Sequence, residues 1–208
     1  MENFCLKYDV SRETFLKLKS YQQLLSEWQG KFNLISNSTL DTAWERHFLD
    51  SAQLFKFIPK NAKVMFDFGS GAGFPGLVLA IMANEKTPYL KINLVEATTK
   101  KTLYLNFVKE QLGINVNIIN DRIEKIIPQR ADIITSRALA SLEELFQYVY
   151  KFCSRQTVCI FPKGKKYSEE IAAARKKWNF DIRIEPSEQS DEGRILIVTN
   201  LSKIKGEK

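Results

Sequence analysis

Ten residues, Asp67-Phe68-Gly69-Ser70-Gly71-Ala72-Gly73-Phe74-Pro75-Gly76, carry four glycines directly behind the apolar run Val64-Met65-Phe66. Glycine at this density lets a backbone turn tightly and come close to a ligand, because no Cβ stands in the way. A helix that starts at the end of such a turn offers its unpaired N–H groups to whatever binds there. The chemistry expected of the turn is the cradling of a small, nucleotide-like molecule.

Spacing alone leaves that molecule open. Gly71-x-Gly73-x-x-Gly76, with Glu96 twenty positions further on, fits the dinucleotide fingerprint and would suit a nicotinamide dinucleotide oxidoreductase. The overlapping Asp67-x-Gly69-x-Gly71-x-Gly73 instead resembles motif I of S-adenosylmethionine-dependent methyltransferases, in which an acid can face the ammonium group of the ligand. The plainest reading is a turn that only reverses the chain.

In open α/β sheets, ligands bind beyond the carboxyl ends of the strands, and this rule nominates further residues. They are Glu96, where a carboxylate can accept from both ribose hydroxyls, the turn Asp121 to Glu124, Ser136-Arg137, and Lys163-Gly164. A guanidinium at Arg137 can grip a carboxylate or phosphate at two points. The run Lys163, Lys165, Lys166 reads equally well as a solvated loop. His47 is the only histidine, so nucleophilic triads and metal sites have little to draw on, and Arg46 and Asp50, four apart, are spaced to pair along a helix.

These residues need a frame. Phe15, Leu18, Leu25 and Trp28 recur at helical spacing over 11–28, with Ser11 as N-cap and Gly30 beyond the end. Trp44, Phe48, Ala52 and Phe55 form a second stripe over 40–57, stopped by Pro59. From there the pattern alternates: strand 63–68, helix 75–84, strand 91–96, helix 98–112, strand 115–120. It continues with strand 132–136, helix 141–152, strand 156–161, helix 168–178, and strands 181–185 and 195–200. Seven strands with intervening helices imply a doubly wound, mostly parallel α/β sheet behind an N-terminal helical extension, with one of the last two strands antiparallel. The expected organisation is 1–62 extension, 63–202 nucleotide fold, 203–208 frayed basic tail.

At 208 residues the chain can bury one core without disulfides or metals. Some sixty residues before the glycine turn leave no room for the separate substrate domain that hydride-transferring enzymes usually carry. The net charge of +7 is concentrated in 97–130, with six basic against three acidic residues, and in 163–208, with eleven against eight. A basic surplus of this kind points to nucleic acid. Three cysteines without a C-x-x-C pair read as reduced residues of a cytoplasmic protein, and no secretory leader or long apolar span is seen.

Taken together, Trp28 with Asn33-Leu34, Arg46-His47-Phe48-Leu49-Asp50-Ser51, the glycine turn, Thr135-Ser136-Arg137-Ala138 and Lys163-Gly164 resemble the RsmG family, also called GidB. Its members are bacterial small-subunit rRNA guanine-N7 methyltransferases. The resemblance runs from about Tyr21 to Val198 and departs at Gln29, where asparagine is usual, and at Glu96, where aspartate is commoner. It implies a Rossmann-like class I methyltransferase fold and transfer of a methyl group from S-adenosyl-L-methionine to N7 of guanine 527 in 16S rRNA. Cofactor contacts carry over to Gly69, Phe74, Ile123, Glu124 and Arg137, with Glu96 as the ribose acid. Asp67, Gly71 and Gly73 complete the expected cofactor set, Arg137 and Lys163 orient the substrate, and Phe74 is expected to wall the reacting centre. The implied partner is 16S rRNA or the small ribosomal subunit, engaged by a monomer without metal or membrane. Two other readings stay open: a nicotinamide dinucleotide oxidoreductase, and an RNA-binding ribosome-assembly factor with a vestigial cofactor site.

Overall fold

The computed structural model describes residues 1–204. Seven strands, β1 (Val64–Phe68), β2 (Lys91–Val95), β3 (Asn117–Ile119), β4 (Ile133–Thr135), β5 (Val158–Lys163), β6 (Trp178–Pro186) and β7 (Arg194–Lys203), form one sheet in the order β3-β2-β1-β4-β5-β7-β6. The first five run parallel, and β7 is antiparallel to both β5 and β6. The expected antiparallel member is therefore β7. From β1 the chain moves outward to β2 on one side, while β4 pairs with β1 on the other, so the topological switch lies at the carboxyl end of β1. That is where an α/β sheet opens a crevice.

Helices α1 (Glu2–Tyr8) and α2 (Arg12–Phe32) open the chain. Helices α4 (Gly76–Lys86), α5 (Thr99–Leu112), α6 (Leu142–Val149) and α7 (Tyr167–Ala174) follow β1, β2, β4 and β5 in turn. The second expected helix is wound in three ways: a π-helical stretch Trp44–Leu49, a single α-turn α3 (Asp50–Ala52) and a 3-10 stretch Gln53–Phe57. It starts at Trp44, the first residue of its apolar stripe, four residues after the expected start at 40. The π winding breaks the i, i+4 register, so Arg46 and Asp50 do not pair, and the ionic partner of Asp50 is Arg137.

Helix α1 lies outside the expected elements, and two further expectations are corrected. Helix α1 has no strong sequence signal and forms by burying Phe4 against Tyr8, Phe15 and Trp44. The helix expected over 168–178 stops at Ala174, because Trp178 and Phe180 alternate inward as the start of β6. Lys203, expected in a frayed tail, ends β7 opposite Trp178; the rest of that tail, 205–208, lies outside the described residues.

The extension packs into the same apolar core as the sheet. Leu18, Tyr21, Leu25 and Phe48 join Leu77, Val78, Ile81, Ile92 and Leu105 in one cluster on one face of the sheet. Phe146, Phe152, Phe161 and Trp178 form a second cluster on the other face. At roughly 1.5–3 kcal/mol for each large apolar side chain buried, the extension is held firmly against the nucleotide fold.

Gln29, the departure noted at the end of α2, is buried and serves as a cap. Its Oε1 accepts from the N–H groups of Leu34 and Ile35, and its Nε2 donates to the carbonyl of Ile35 and to Asn37 Oδ1.

Candidate functional site

Backbone geometry explains the glycines. Gly69, Gly71 and Gly73 have φ of 70°, 57° and 100°, a region closed to most side chains. The turn is tied to β2 by the N–H groups of Gly69 and Ser70, which donate to the Val95 carbonyl at 2.9 and 3.1 Å. The Glu96 carboxylate bridges two elements, accepting from Gly71 N–H at 2.9 Å through Oε2 and from Thr98 N–H at 2.8 Å through Oε1. On the far side, the Tyr21 hydroxyl of α2 donates to the Ala72 carbonyl. A Cβ on Gly73 would collide with that hydroxyl and with Leu77, and one on Gly76 would come within 2.6 Å of Asp67 Oδ2.

Two clefts open beyond the strand ends. The smaller, of about 370 Å³, is lined by Gly69, Gly71, Glu96, Ile123, Glu124 and Leu139 among others, so five of the nominated cofactor residues meet there. This volume lies within the range of small-molecule sites. The larger, of about 980 Å³, is bordered by Arg46, His47, Asp50, Arg137, Lys163 and Arg194 among others. Leu139 borders both: its side chain covers Gly69, where an added Cβ would meet Leu139 Cδ1 at 2.7 Å. No local sequence signal marks Leu139 for this place, which the left-handed Ala138 (φ 53°) beside it helps to set.

Asp67, Gly73 and Phe74 lie beneath the clefts, all three buried. The Asp67 carboxylate accepts from Thr135 Oγ1 at 2.7 Å, its register partner on β4, and sits under the start of α4. Burial pushes its pKa up to about 6, opposed by neighbouring hydrogen-bond donors and by the charge of Arg137. Its place is thus below the turn, where it shapes the loop. The Phe74 ring is sandwiched by protein, stacked on Tyr21 at 5.3 Å and on His47 at 5.0 Å, with Arg137 5.2 Å from its centre. The expected aromatic wall is therefore covered by these side chains.

The two cations differ in kind. Arg137 leaves the end of β4 and reaches the extension, donating through Nη1 to the Arg46 carbonyl (3.1 Å) and to Asp50 Oδ2 (3.3 Å), and through Nη2 to His47 Nδ1 (2.9 Å). Lys163 donates to the Ala140 carbonyl (2.7 Å) and to Glu170 Oε2 (2.8 Å), which also accepts from Leu142 N–H. It staples the loop that carries Leu139. Lys165 and Lys166 are exposed, as a solvated run should be.

The residues fit an adenosine-bearing amino acid. A carboxylate already poised on the turn can accept from ribose hydroxyls, Gly69 and Gly71 line the cleft without side chains of their own, and a guanidinium stands beyond the loop for a carboxylate. Among the described residues no group of three or more metal-ligating side chains occurs, and no helix is long and apolar enough to cross a membrane.

Comparison with solved structures places the fold. A SAM-dependent methyltransferase from Aquifex aeolicus matches with a TM-score of 0.57 at 15% identity, over 76% of this chain and 92% of that one. The mitomycin 7-O-methyltransferase MmcR matches with a TM-score of 0.60 at 10% identity, over 92% and 69%. The architecture is that of a Rossmann-like class I methyltransferase.

Sequence relatives are nearer. A ribosomal RNA small subunit methyltransferase G from Cereibacter sphaeroides is 38% identical over 203 residues, 98% of either chain. One from Parvibaculum lavamentivorans is 39% identical over 96% of this chain and 89% of its own, and one from Rickettsia akari 39% over 94% and 99%. The family model described as GidB, rRNA small subunit methyltransferase G, matches residues 15–193. The chain belongs to the GidB family of rRNA small subunit methyltransferases and is an S-adenosylmethionine-dependent enzyme of that family.

Proposed function

We propose that the protein methylates N7 of a guanine in 16S rRNA, with the methyl donor in the smaller cleft and the acceptor nucleotide in the larger. The observation that carries this reading is the junction of the two clefts at Leu139, directly over the turn that Glu96 holds. S-adenosylmethionine supplies an electrophilic methyl group on a sulfonium. Gly69, Gly71 and Glu96 hold its ribose side, Ile123 and Glu124 the far wall, and Arg137 the carboxylate end.

Guanine N7 has a lone pair and no proton, so the reaction asks for no general base. The protein's contribution is placement, and aligning two bound reactants is worth roughly 7 to 11 kcal/mol. N7 lies on an edge that a deep, narrow A-form groove hides, so the acceptor is an unstacked or splayed nucleotide. The basic side chains at the larger cleft, Arg46, Lys166 and Arg194, meet its phosphates, and Lys101 and Arg122, from the basic stretch 97–130, border the smaller cleft.

One chain supplies both clefts, which supports action as a monomer, and an rRNA substrate supports a cytoplasmic location. Family membership favours the methyl donor over a nicotinamide dinucleotide. Titration with S-adenosylhomocysteine and with NADH separates the two, since this reading expects tight binding of the first alone. The acceptor is tested by comparing 7-methylguanine in 16S rRNA from cells with and without the gene; an unchanged pattern would contradict the reading.

A further inference from the structure

The Arg46-to-Ser51 motif contributes a built cluster to the larger cleft. A guanidinium has five N–H donors and no lone pair. Three of Arg137's donors go to the extension: Nη1 serves the Arg46 carbonyl and Asp50, and one Nη2–H serves His47 Nδ1. Among the described residues its Nε–H and second Nη2–H have no partner, and they sit on neighbouring nitrogens, the number a two-point grip on an anionic oxygen pair takes.

The donor at Arg137 fixes the state of His47. Nδ1 must accept, so the ring proton is on Nε2, which donates to Thr39 Oγ1 at 3.0 Å. That hydroxyl in turn donates to the Ser36 carbonyl at 2.8 Å, leaving its oxygen free to accept. The relay from Ser36 through Thr39 and His47 to Arg137 therefore has one consistent direction. Phe74 stacks on the ring from below. Burial, then the charges of Arg137 and Arg46, lower the His47 pKa to about 4; Asp50 is the carboxylate beside this cluster, its own pKa raised by burial. At neutral pH His47 is therefore uncharged.

We propose that His47 is a positioning residue: its Nδ1 lone pair, set by Thr39, aims the two uncommitted donors of Arg137 at an anionic oxygen pair in the site. The proposal rests on the methyl-transfer reading for the identity of that anion, which is the donor's carboxylate or a phosphate of the acceptor RNA. The relay itself needs no such assumption.

The test uses the full-length protein with His47→Ala, His47→Asn and Arg137→Ala, singly and with His47→Ala combined with Arg137→Ala. S-adenosylhomocysteine affinity reads a grip on the donor; the binding affinity for rRNA, measured without turnover, reads a grip on phosphate. His47→Ala is expected to weaken one of these by about tenfold or more, as loss of a charge-assisted hydrogen bond would. His47→Asn returns an acceptor near the Nδ1 position and is expected to restore binding to within about threefold of wild type. In the Arg137→Ala background, His47→Ala is expected to add nothing.

Equal losses with and without Arg137, no loss at all, or no rescue by asparagine in a protein that melts like wild type would overturn the proposal. Because His47 is the only histidine, its ¹⁵N signals need no assignment and serve if a variant fails to fold. An unprotonated Nδ1 and a protonated Nε2, unchanged from pH 5 to 8, are expected, and the reverse tautomer would overturn it. If wild-type protein binds S-adenosylhomocysteine and shows this tautomer yet methylates no rRNA, the functional reading fails alone.

Discussion

The hydroxyl of Tyr21, in the second helix of the extension, donates to the carbonyl of Ala72 inside the glycine turn, fifty-one residues away. The N-terminal helices thus help to set the geometry of the glycine turn, the proposed seat of the methyl donor. Tyr21→Phe is expected to cost about 1 kcal/mol of stability, the worth of one buried hydrogen bond, and to weaken S-adenosylhomocysteine binding several-fold. Denaturant unfolding and calorimetry read the two effects. Gly73→Ala is expected to be worse, because a left-handed φ and the collision with Tyr21 and Leu77 act together.

Glu96 makes a second prediction. Its carboxylate accepts from Gly71 and Thr98 while lining the smaller cleft. Glu96→Gln turns one of those acceptors into a donor that faces an N–H, so donor affinity is expected to fall about tenfold or more. Because Glu96 is buried and holds both N–H groups, the thermal midpoint is expected to fall as well, by an amount that matches about 1–3 kcal/mol. Undiminished affinity in the glutamine variant would remove Glu96 from the ribose role.

Lys163 holds the Ala140 carbonyl and Glu170, which makes it a staple for the loop bearing Leu139. Lys163→Ala is expected to lower stability by about 1–2 kcal/mol and to reduce kcat, with KM for rRNA close to wild type. A tenfold rise in KM with unchanged stability would show instead that the ammonium leaves Ala140 for an RNA phosphate.

Acid affects the cluster in opposite ways. His47 has a folded pKa of about 4 against an ordinary 6.5, so between those values the unfolded chain binds more protons and the His47 contribution is lost as pH falls. Asp67 has a folded pKa of about 6 against 3.8, so in its window acidification favours the folded state. The difference in stability between wild type and His47→Asn isolates the first effect. It is expected to shrink from pH 7 to pH 5; a difference independent of pH would contradict the assigned protonation.

Local features were legible in the sequence. The apolar run before the glycines, the strand ending at Glu96 and the Arg137 that follows β4 all follow from periodicity and the strand-end rule, and the structure places Glu96 in the smaller cleft and Arg137 in the larger one beyond the strand ends. Features made by distant contacts were not. Tyr21 falls three residues after Leu18 on the apolar stripe, yet only docking shows its hydroxyl on Ala72. The π winding of Trp44–Leu49 redirects Asp50 from Arg46 to Arg137, which a count of four residues along a helix cannot reveal. Trp178 read as a helix end because the inward alternation with Phe180 begins there and needs the following strand to be seen. Leu139 is an ordinary loop leucine until Gly69 is beneath it.

The central claim is methyl transfer to guanine N7. The direct measurement incubates the purified protein and S-adenosylmethionine with 16S rRNA lacking the mark, as naked RNA and as small subunits, then cleaves the RNA chemically at 7-methylguanine. The account predicts a single new cleavage at one guanine in at least one substrate form, abolished in Arg137→Ala. Methyl incorporation without cleavage, or none in either form, would contradict it.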